Sequence, residues 1–416
     1  MSKKTIFKKD FILVAIGQII SIFGNQILRY ALPLYLLNKT GSSVLFGTIM
    51  ALSFIPALIL FPIGGILADR INKRNIMVIL DFSTAALIFL FYLLMGKIDI
   101  VPLVAVTMMI LYGIQGAYQP AVQASVPCLI DEEHIMQGNS VVNMINSLAS
   151  MTGSVIGGVF FSVVGLTPVL YVSIGCFFAS AVMEIFICIP FEKKKSSGNI
   201  FVTGFTDLKD SFRFMFKSQP VLWKISLIYA SLNLLLTSLI LVGAPIIITQ
   251  NSGFETNTAN RLYGYAQGVI GAGAISGGLA AGVSAKKLKP KTSPLIIIGC
   301  ALSILISGTA LQLLSSAMTV YLILLFGCGM LTALSTLFQI QALTFLQLLT
   351  PKDLVGKVLS CFICVCMCAI PLGQFIYGIV FEHIGGKTFI PFYIASLIMI
   401  AVSIFTRRIF HEIKGS

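Results

Sequence analysis

Few side chains in this sequence could do chemistry, and they stand in unusual surroundings. Arg29 lies within the apolar run from Ser21 to Leu37, and Asn25 precedes it by one helical turn on the same face. A guanidinium so placed costs roughly a few kcal/mol or more unless it faces water or a partner. Arg29 therefore reads as lining a polar chamber, where it could hold an anionic or carbonyl-rich group. The alternatives are a reach to the headgroups or a structural pair. Other polar side chains also fall inside apolar runs: Gln18, Gln115, Gln119, Asn143, Asn146, Tyr229, Asn233, Gln339, Gln341 and Gln374. Each can contact a substrate or hydrogen-bond one helix to the next. Acids are scarcer. Asp81 and Glu184 stand near the ends of their runs, where pairing with Arg70, Arg74 or the lysines from Lys193 onward is expected, and with Asp69 they are the candidate proton carriers.

No motif for covalent or metal chemistry accompanies them. H-E-x-x-H, G-x-S-x-G and the G-x-x-x-x-G-K-[ST] phosphate loop are missing, and His134, His383 and His411 occur singly, so neither an enzyme nor a cofactor is expected. Of the nine cysteines, Cys361, Cys364 and Cys368 share a helical face, but no histidine or acid lies between them. They read as small packing residues rather than a soft-metal site.

The elements that position these residues follow from composition. Only 10% of the 416 residues are charged and 57% are hydrophobic, with a single Trp, far from the quarter charged that is usual in soluble domains. Crossing the hydrocarbon takes about 20 apolar residues. Twelve stretches qualify: 11–37, 44–68, 76–96, 101–124, 138–163, 167–190, 220–249, 261–284, 293–314, 318–348, 356–382 and 388–408. The formal charge of +13 comes from short blocks between these runs, so the cations signal topology and not nucleic-acid binding. With both ends of the chain cytoplasmic, 23 of the 28 cations fall inside, Lys39, Lys97, Arg261 and Lys387 fall outside, and Arg29 lies within a span. The lysines before the first run precede an uncleaved first span.

The polar segment 192–219 divides the spans into an N-terminal half, 1–191, and a C-terminal half, 220–416. Its phenylalanines from Phe201 to Phe216 interleave with Lys209, Arg213 and Lys217, as in an amphipathic helix on the inner leaflet or a plain linker. The halves repeat weakly: at an offset of 220, Gly153, Gly158 and Gly165 fall on Gly373, Gly378 and Gly385.

One stretch is distinctive. Gly64, Gly65, Ile66, Leu67, Ala68, Asp69, Arg70, Ile71, Asn72, Lys73 and Arg74 end an apolar run in small residues, an acid and a cluster of cations. This resembles the signature loop between the second and third helices of the major facilitator superfamily, G-x-L-a-D-r-x-G-r-[RK]. Gly65, Leu67, Asp69, Arg70, Lys73 and Arg74 match, while Asn72 replaces the family's glycine. Gly153, Gly157 and Gly158 resemble the glycine-rich motif of exporters in that superfamily, without its usual Gly-Pro pair. A closer resemblance, to the branch of macrolide-efflux and enterobactin-exporter-like proteins, rests on Ala31-Leu32-Pro33, Thr40-Gly41-Ser42, Asp81, Gln119-Pro120-Ala121, Val126-Pro127, Asp131-Glu132-Glu133, Gly356-Lys357-Val358 and Pro371-Leu372-Gly373. Members often carry Asp where this chain has Asn25.

The resemblance implies an all-α polytopic membrane protein of twelve transmembrane helices in two pseudo-symmetric six-helix bundles. It also implies a bacterial plasma-membrane transporter, acting as a monomer by alternating access and exporting an amphipathic small molecule such as a macrolide-like drug or siderophore. Protons are the candidate coupling ion. Import, lipid movement and sensing without transport are the alternatives. Asn25, Arg29, Gln115, Gln119, Asn143, Asn146, Tyr229, Asn233, Gln339 and Gln341 are then candidates for the substrate site, and Gly65, Asp69, Arg70, Arg74, Asp81 and Glu184 for gating and coupling.

Overall fold

The computed structural model describes residues 9–130, 135–189, 215–216, 219–284, 290–350 and 355–412. They form twelve helices: α1 (Lys9–Thr40), α2 (Ser43–Arg70), α3 (Lys73–Leu94), α4 (Ile100–Leu129), α5 (Ile135–Val164), α6 (Leu166–Ile185), α7 (Pro220–Asn251), α8 (Thr256–Val283), α9 (Ser293–Leu313), α10 (Ala317–Leu349), α11 (Val355–His383) and α12 (Ile390–Glu412). Each contains a window long and apolar enough to cross a membrane, in the number and order that hydropathy predicts. Of the connection 192–219, only Met215, Phe216 and Gln219 are described, so the candidate amphipathic stretch lies almost wholly outside the described residues.

Packing divides the chain into two compact units. One comprises Met1–Gly41, Leu52–Ser197 and Thr256–Gly268; the other comprises Ser42–Ala51, Gly198–Glu255 and Val269–Ser416. The start of α2 therefore packs with the second unit and the start of α8 with the first.

In the first unit α1 packs against α4, α5 and α6. Serines seven residues apart hold α6 to it. Ser173 donates to the Gly24 carbonyl at 3.3 Å and Ser180 to the Gly17 carbonyl at 2.9 Å. Seven residues are two helical turns, so both hydroxyls leave the same face, and the glycines opposite leave their carbonyls accessible. The second unit repeats this device between α12 and α9. Ser396 donates to the Ala301 carbonyl at 2.8 Å and Ser403 to the Pro294 carbonyl at 2.9 Å.

Glycines set the closest crossings. A Cβ on Gly64 would lie 2.6 Å from the Ala117 Cα, and one on Gly116 would lie 2.8 Å from the Ala57 carbonyl oxygen, so α2 and α4 touch backbone to backbone. The repeat at offset 220 is visible here as well. Gly158 of α5 rests on Gly264 of α8, and Gly378 of α11 rests on Gly47 of α2; a Cβ on Gly158 would stand 2.5 Å from the Gly264 Cα, and one on Gly47 2.8 Å from the Gly378 Cα. Between α1 and α2 the chain reverses at Gly41, whose φ of +66° suits glycine. The first turn of α2 is then capped by the Glu382 carboxylate, which accepts from the Val44 N–H at 3.1 Å.

Helix α7 departs from regular geometry twice, with π turns at Asn233–Thr237 and Ile247–Asn251. Hydropathy carries no mark of them. Such turns disturb the backbone ladder, and α11 supplies partners at the first: Tyr377 donates to the Leu235 carbonyl at 2.7 Å, and Asn233 donates from Nδ2 to the Cys366 carbonyl at 3.4 Å.

Adjacent glycines of α8 give opposite predictions. A Cβ on Gly277 would lie 2.2 Å from the Ala333 carbonyl oxygen, whereas one on Gly278 meets nothing within 4 Å. Gly277→Ala is expected to destabilise the purified protein by about 1–3 kcal/mol through overpacking. Gly278→Ala should be neutral or stabilising by up to about 1 kcal/mol. Thermal unfolding in detergent checks both, and equal melting temperatures would contradict the packing.

Candidate functional site

Helices α1 and α4 meet along a polar seam in the first unit. On α1, Ser21, Asn25 and Arg29 follow one another at single-turn spacing, and on α4 so do Tyr112, Gln115 and Tyr118. The Arg29 guanidinium carbon lies 3.9 Å from the centroid of the Tyr112 ring. One turn further, Asn25 donates from Nδ2 to Gln115 Oε1 at 3.1 Å. Tyr112 also packs on Phe54 of α2, with ring centroids 5.1 Å apart. Arg29 thus meets a neutral π face, which attracts the cation without cancelling its charge. It stays available to an anionic or carbonyl-bearing group.

The seam ends in two acids. Ser21 donates to Asp81 Oδ1 at 2.9 Å, and Tyr118 donates to Glu184 Oε1 at 2.7 Å. Asp81 is 2% exposed and Glu184 1% exposed. The sequence predicts that these acids pair with nearby cations. The structure corrects this: their partners among the described residues are hydroxyls, and Asp81 Oδ2 and Glu184 Oε2 have no hydrogen bond. The reason is helical phase. Asp81 and Glu184 point from α3 and α6 toward α1 and α4, whereas Arg74 at the start of α3 donates from Nε and Nη2 to Asn75 Oδ1 at 3.2 and 3.1 Å.

In the second unit Tyr229 is buried and stacks on Phe362, with centroids 5.7 Å apart and planes inclined by 19°. Asn233, one turn on, serves the link to α11 already described. Gln341 holds α10 to the start of α9, accepting from Ser293 at 3.0 Å and donating to Thr292 Oγ1 at 3.0 Å. Gln119, Asn146 and Gln339 are half-buried. Gln18 and Gln374 are fully buried, and neither amide forms a hydrogen bond among the described residues. A cavity of about 430 Å³ in this unit, bordered by Asn251, Ser252, Tyr321 and Thr388, involves none of the candidate residues.

The side chains of Asn143, Gly65, Asp69 and Arg70 lie outside the described residues. The departure at Asn72 has a local explanation: its Oδ1 accepts from the Arg74 N–H at 3.0 Å, capping the N-terminus of α3. Sequence reasoning missed Ser21, Tyr112, Tyr118 and Ser180. Single-turn spacing from Asn25, Gln115 and Glu184 was the available signal.

The sequence matches the Major Facilitator Superfamily profile over residues 14–374. The chain belongs to the major facilitator superfamily. It is therefore a multi-pass membrane transporter and not an enzyme. It is 24% identical over 416 residues to the uncharacterized MFS-type transporter YfiS of Bacillus subtilis (strain 168), covering 97% of this chain and 94% of that one. Identity to macrolide efflux protein A of Streptococcus pyogenes is 25% over 187 residues, covering 44% of this chain and 46% of that protein. The crystal structure of the nucleoside transporter NupG superposes with a TM-score of 0.69 at 12% identity, covering 97% and 99% of the two chains.

Ring electrostatics at Tyr112 are open to test. Tyr112→Phe keeps the π face beneath Arg29 and should leave thermal stability near that of the parent, whereas Tyr112→Leu should lower it by about 0.5–2 kcal/mol. Equal unfolding temperatures for the two variants would remove the cation–π contact from the account.

Proposed function

We propose that this transporter exports an amphipathic small molecule of macrolide-like or siderophore-like character by alternating access between two six-span halves, 1–191 and 220–416. The seam of Arg29, Asn25, Gln115 and Tyr112 carries the reading. It joins an uncancelled cation to amides and an aromatic face, and a large molecule with scattered carbonyls and an apolar body needs both. The resemblance to macrolide efflux protein A supports the direction and the substrate class. The glycines of α5 fit the same role. Gly153 and Gly157 sit on α1 between Phe23 and Ile27, where a Cβ would lie 2.9 Å from Gln26 Cβ and 3.1 Å from Ile27 Cα, so α1 can be held close without side chains between.

In this reading Asp69, Arg70 and Arg74 latch the cytoplasmic side when the outer side is open. Both ends of the chain are cytoplasmic, as the 23 inward cations favour. The transporter works as a monomer in the bacterial plasma membrane.

Inside-out vesicles from a macrolide-sensitive host test the proposal with radiolabelled erythromycin. Accumulation above that of empty-vector vesicles is expected, with loss of the signal in Arg29→Ala while the variant reaches the membrane in normal amounts. No accumulation of erythromycin or of enterobactin would end the export reading. Uptake by right-side-out vesicles alone would reverse its direction. Normal flux through Arg29→Ala would assign Arg29 a structural role.

A further inference from the structure

We infer that the cavity of about 430 Å³ within the second unit binds an uncharged amphiphile whose head is rich in hydroxyls, such as a glycosyl group on a lipid chain. The site is separate from the α1–α4 seam and does not rest on the export reading.

Span ends build it. The wall is shared by the last turn of α7, the end of α9, the start of α10 and the connection between α11 and α12. All four pieces terminate helices of membrane length, which is where the headgroups of a bilayer lie. The volume falls within the roughly 300–1,000 Å³ usual for small-molecule sites. From α7, the wall residues Ile247, Ile248 and Asn251 all belong to the second π turn. Such turns recur at functional sites.

The wall decides the chemistry of the ligand. Ile248 and Leu324 make part of it apolar and buried, while Asn251, Ser252, Tyr321 and Thr388 bring hydrogen-bonding groups that carry no charge. Thr388 is 7% exposed, and its hydroxyl has no hydrogen-bond partner among the described residues. A buried hydroxyl costs free energy until a ligand or a water meets it. Among the described residues no Lys, Arg, Asp or Glu borders the cavity, so a charged head would give up its water without meeting a countercharge. A head of neutral donors and acceptors exchanges its water for wall groups of the same kind.

An apolar chain completes the match. Leu314, just past the end of α9, borders the cavity and is itself exposed, as are Leu313 and Met318 close by in sequence. A sugar alone would leave Ile248, Leu324 and this leucine rim without apolar contact, whereas an acyl chain covers them. Lys387 falls between the wall residues Gly386 and Thr388 in sequence, yet it is exposed and does not line the cavity.

Native mass spectrometry of the purified full chain in lauryldimethylamine oxide, a detergent without a sugar head, tests the site. The probes are diglucosyl diacylglycerol, phosphatidylglycerol and maltose. A one-to-one complex with the glucolipid is expected at concentrations where phosphatidylglycerol gives none. Thr388→Val should weaken that complex by roughly two- to tenfold, as for the loss of one uncharged hydrogen bond. Ala317→Trp, which crowds the cavity from the start of α10, should abolish it. Thermal unfolding checks that both variants are folded, and if Ala317→Trp is not, Thr388→Val alone decides. Absence of a glucolipid complex would overturn the inference, as would a complex undiminished in the folded variants. Equal retention of phosphatidylglycerol would overturn it in favour of an anionic head paired with Lys387. Displacement of the glucolipid by maltose would overturn the amphiphile in favour of a soluble sugar.

Discussion

Hydrocarbon offers a polar side chain no solvent, so a partner on a neighbouring helix is worth more to such a group than it would be in water. That constraint organises the first unit. Serines of α6 reach the carbonyls of α1, amides of α1 and α4 reach each other, and two acids are met by hydroxyls. The same bonds that position the candidate site also hold the helices together. Site and scaffold therefore share the same contacts.

Along the α1–α4 seam the character of successive turns changes in order. Arg29 over Tyr112 is cationic, Asn25 with Gln115 is neutral, and Ser21 with Tyr118 leads into acids. Such a gradient follows one face of each helix. It also places a cation and an acid pair on one track without letting them cancel by direct contact. Asn25 fits this arrangement. An acid there would lie one turn from Arg29, and the neutral middle rung would be lost.

Hydropathy and charge balance were enough to read the spans, because crossing a bilayer imposes a length and an apolar content that few other constraints imitate. Arg29, Asn25 and Gln115 were legible for a related reason: polar groups inside apolar runs are costly and therefore conspicuous. The hydroxyl partners of Asp81 and Glu184 were not legible. The two residues are separated by more than a hundred positions, and each alone looked like a surface acid beside a basic loop. Only the packing of α6 on both α1 and α3, and of α3 on α4, turns them inward. Tyr118 and Ser21 were overlooked because tyrosine and serine are ordinary within membrane helices. The π turns of α7 left no trace in periodicity, being a matter of backbone winding.

The irregular winding of α7 has a mechanical consequence. Each wide turn holds one residue more than a regular turn, so the stretches on its two sides are out of phase by roughly 100°. Tyr229 stands on one side of the surplus and Pro245 on the other. Tyr229 therefore faces roughly 100° away from the direction that an unbroken helix seated at Pro245 would give it.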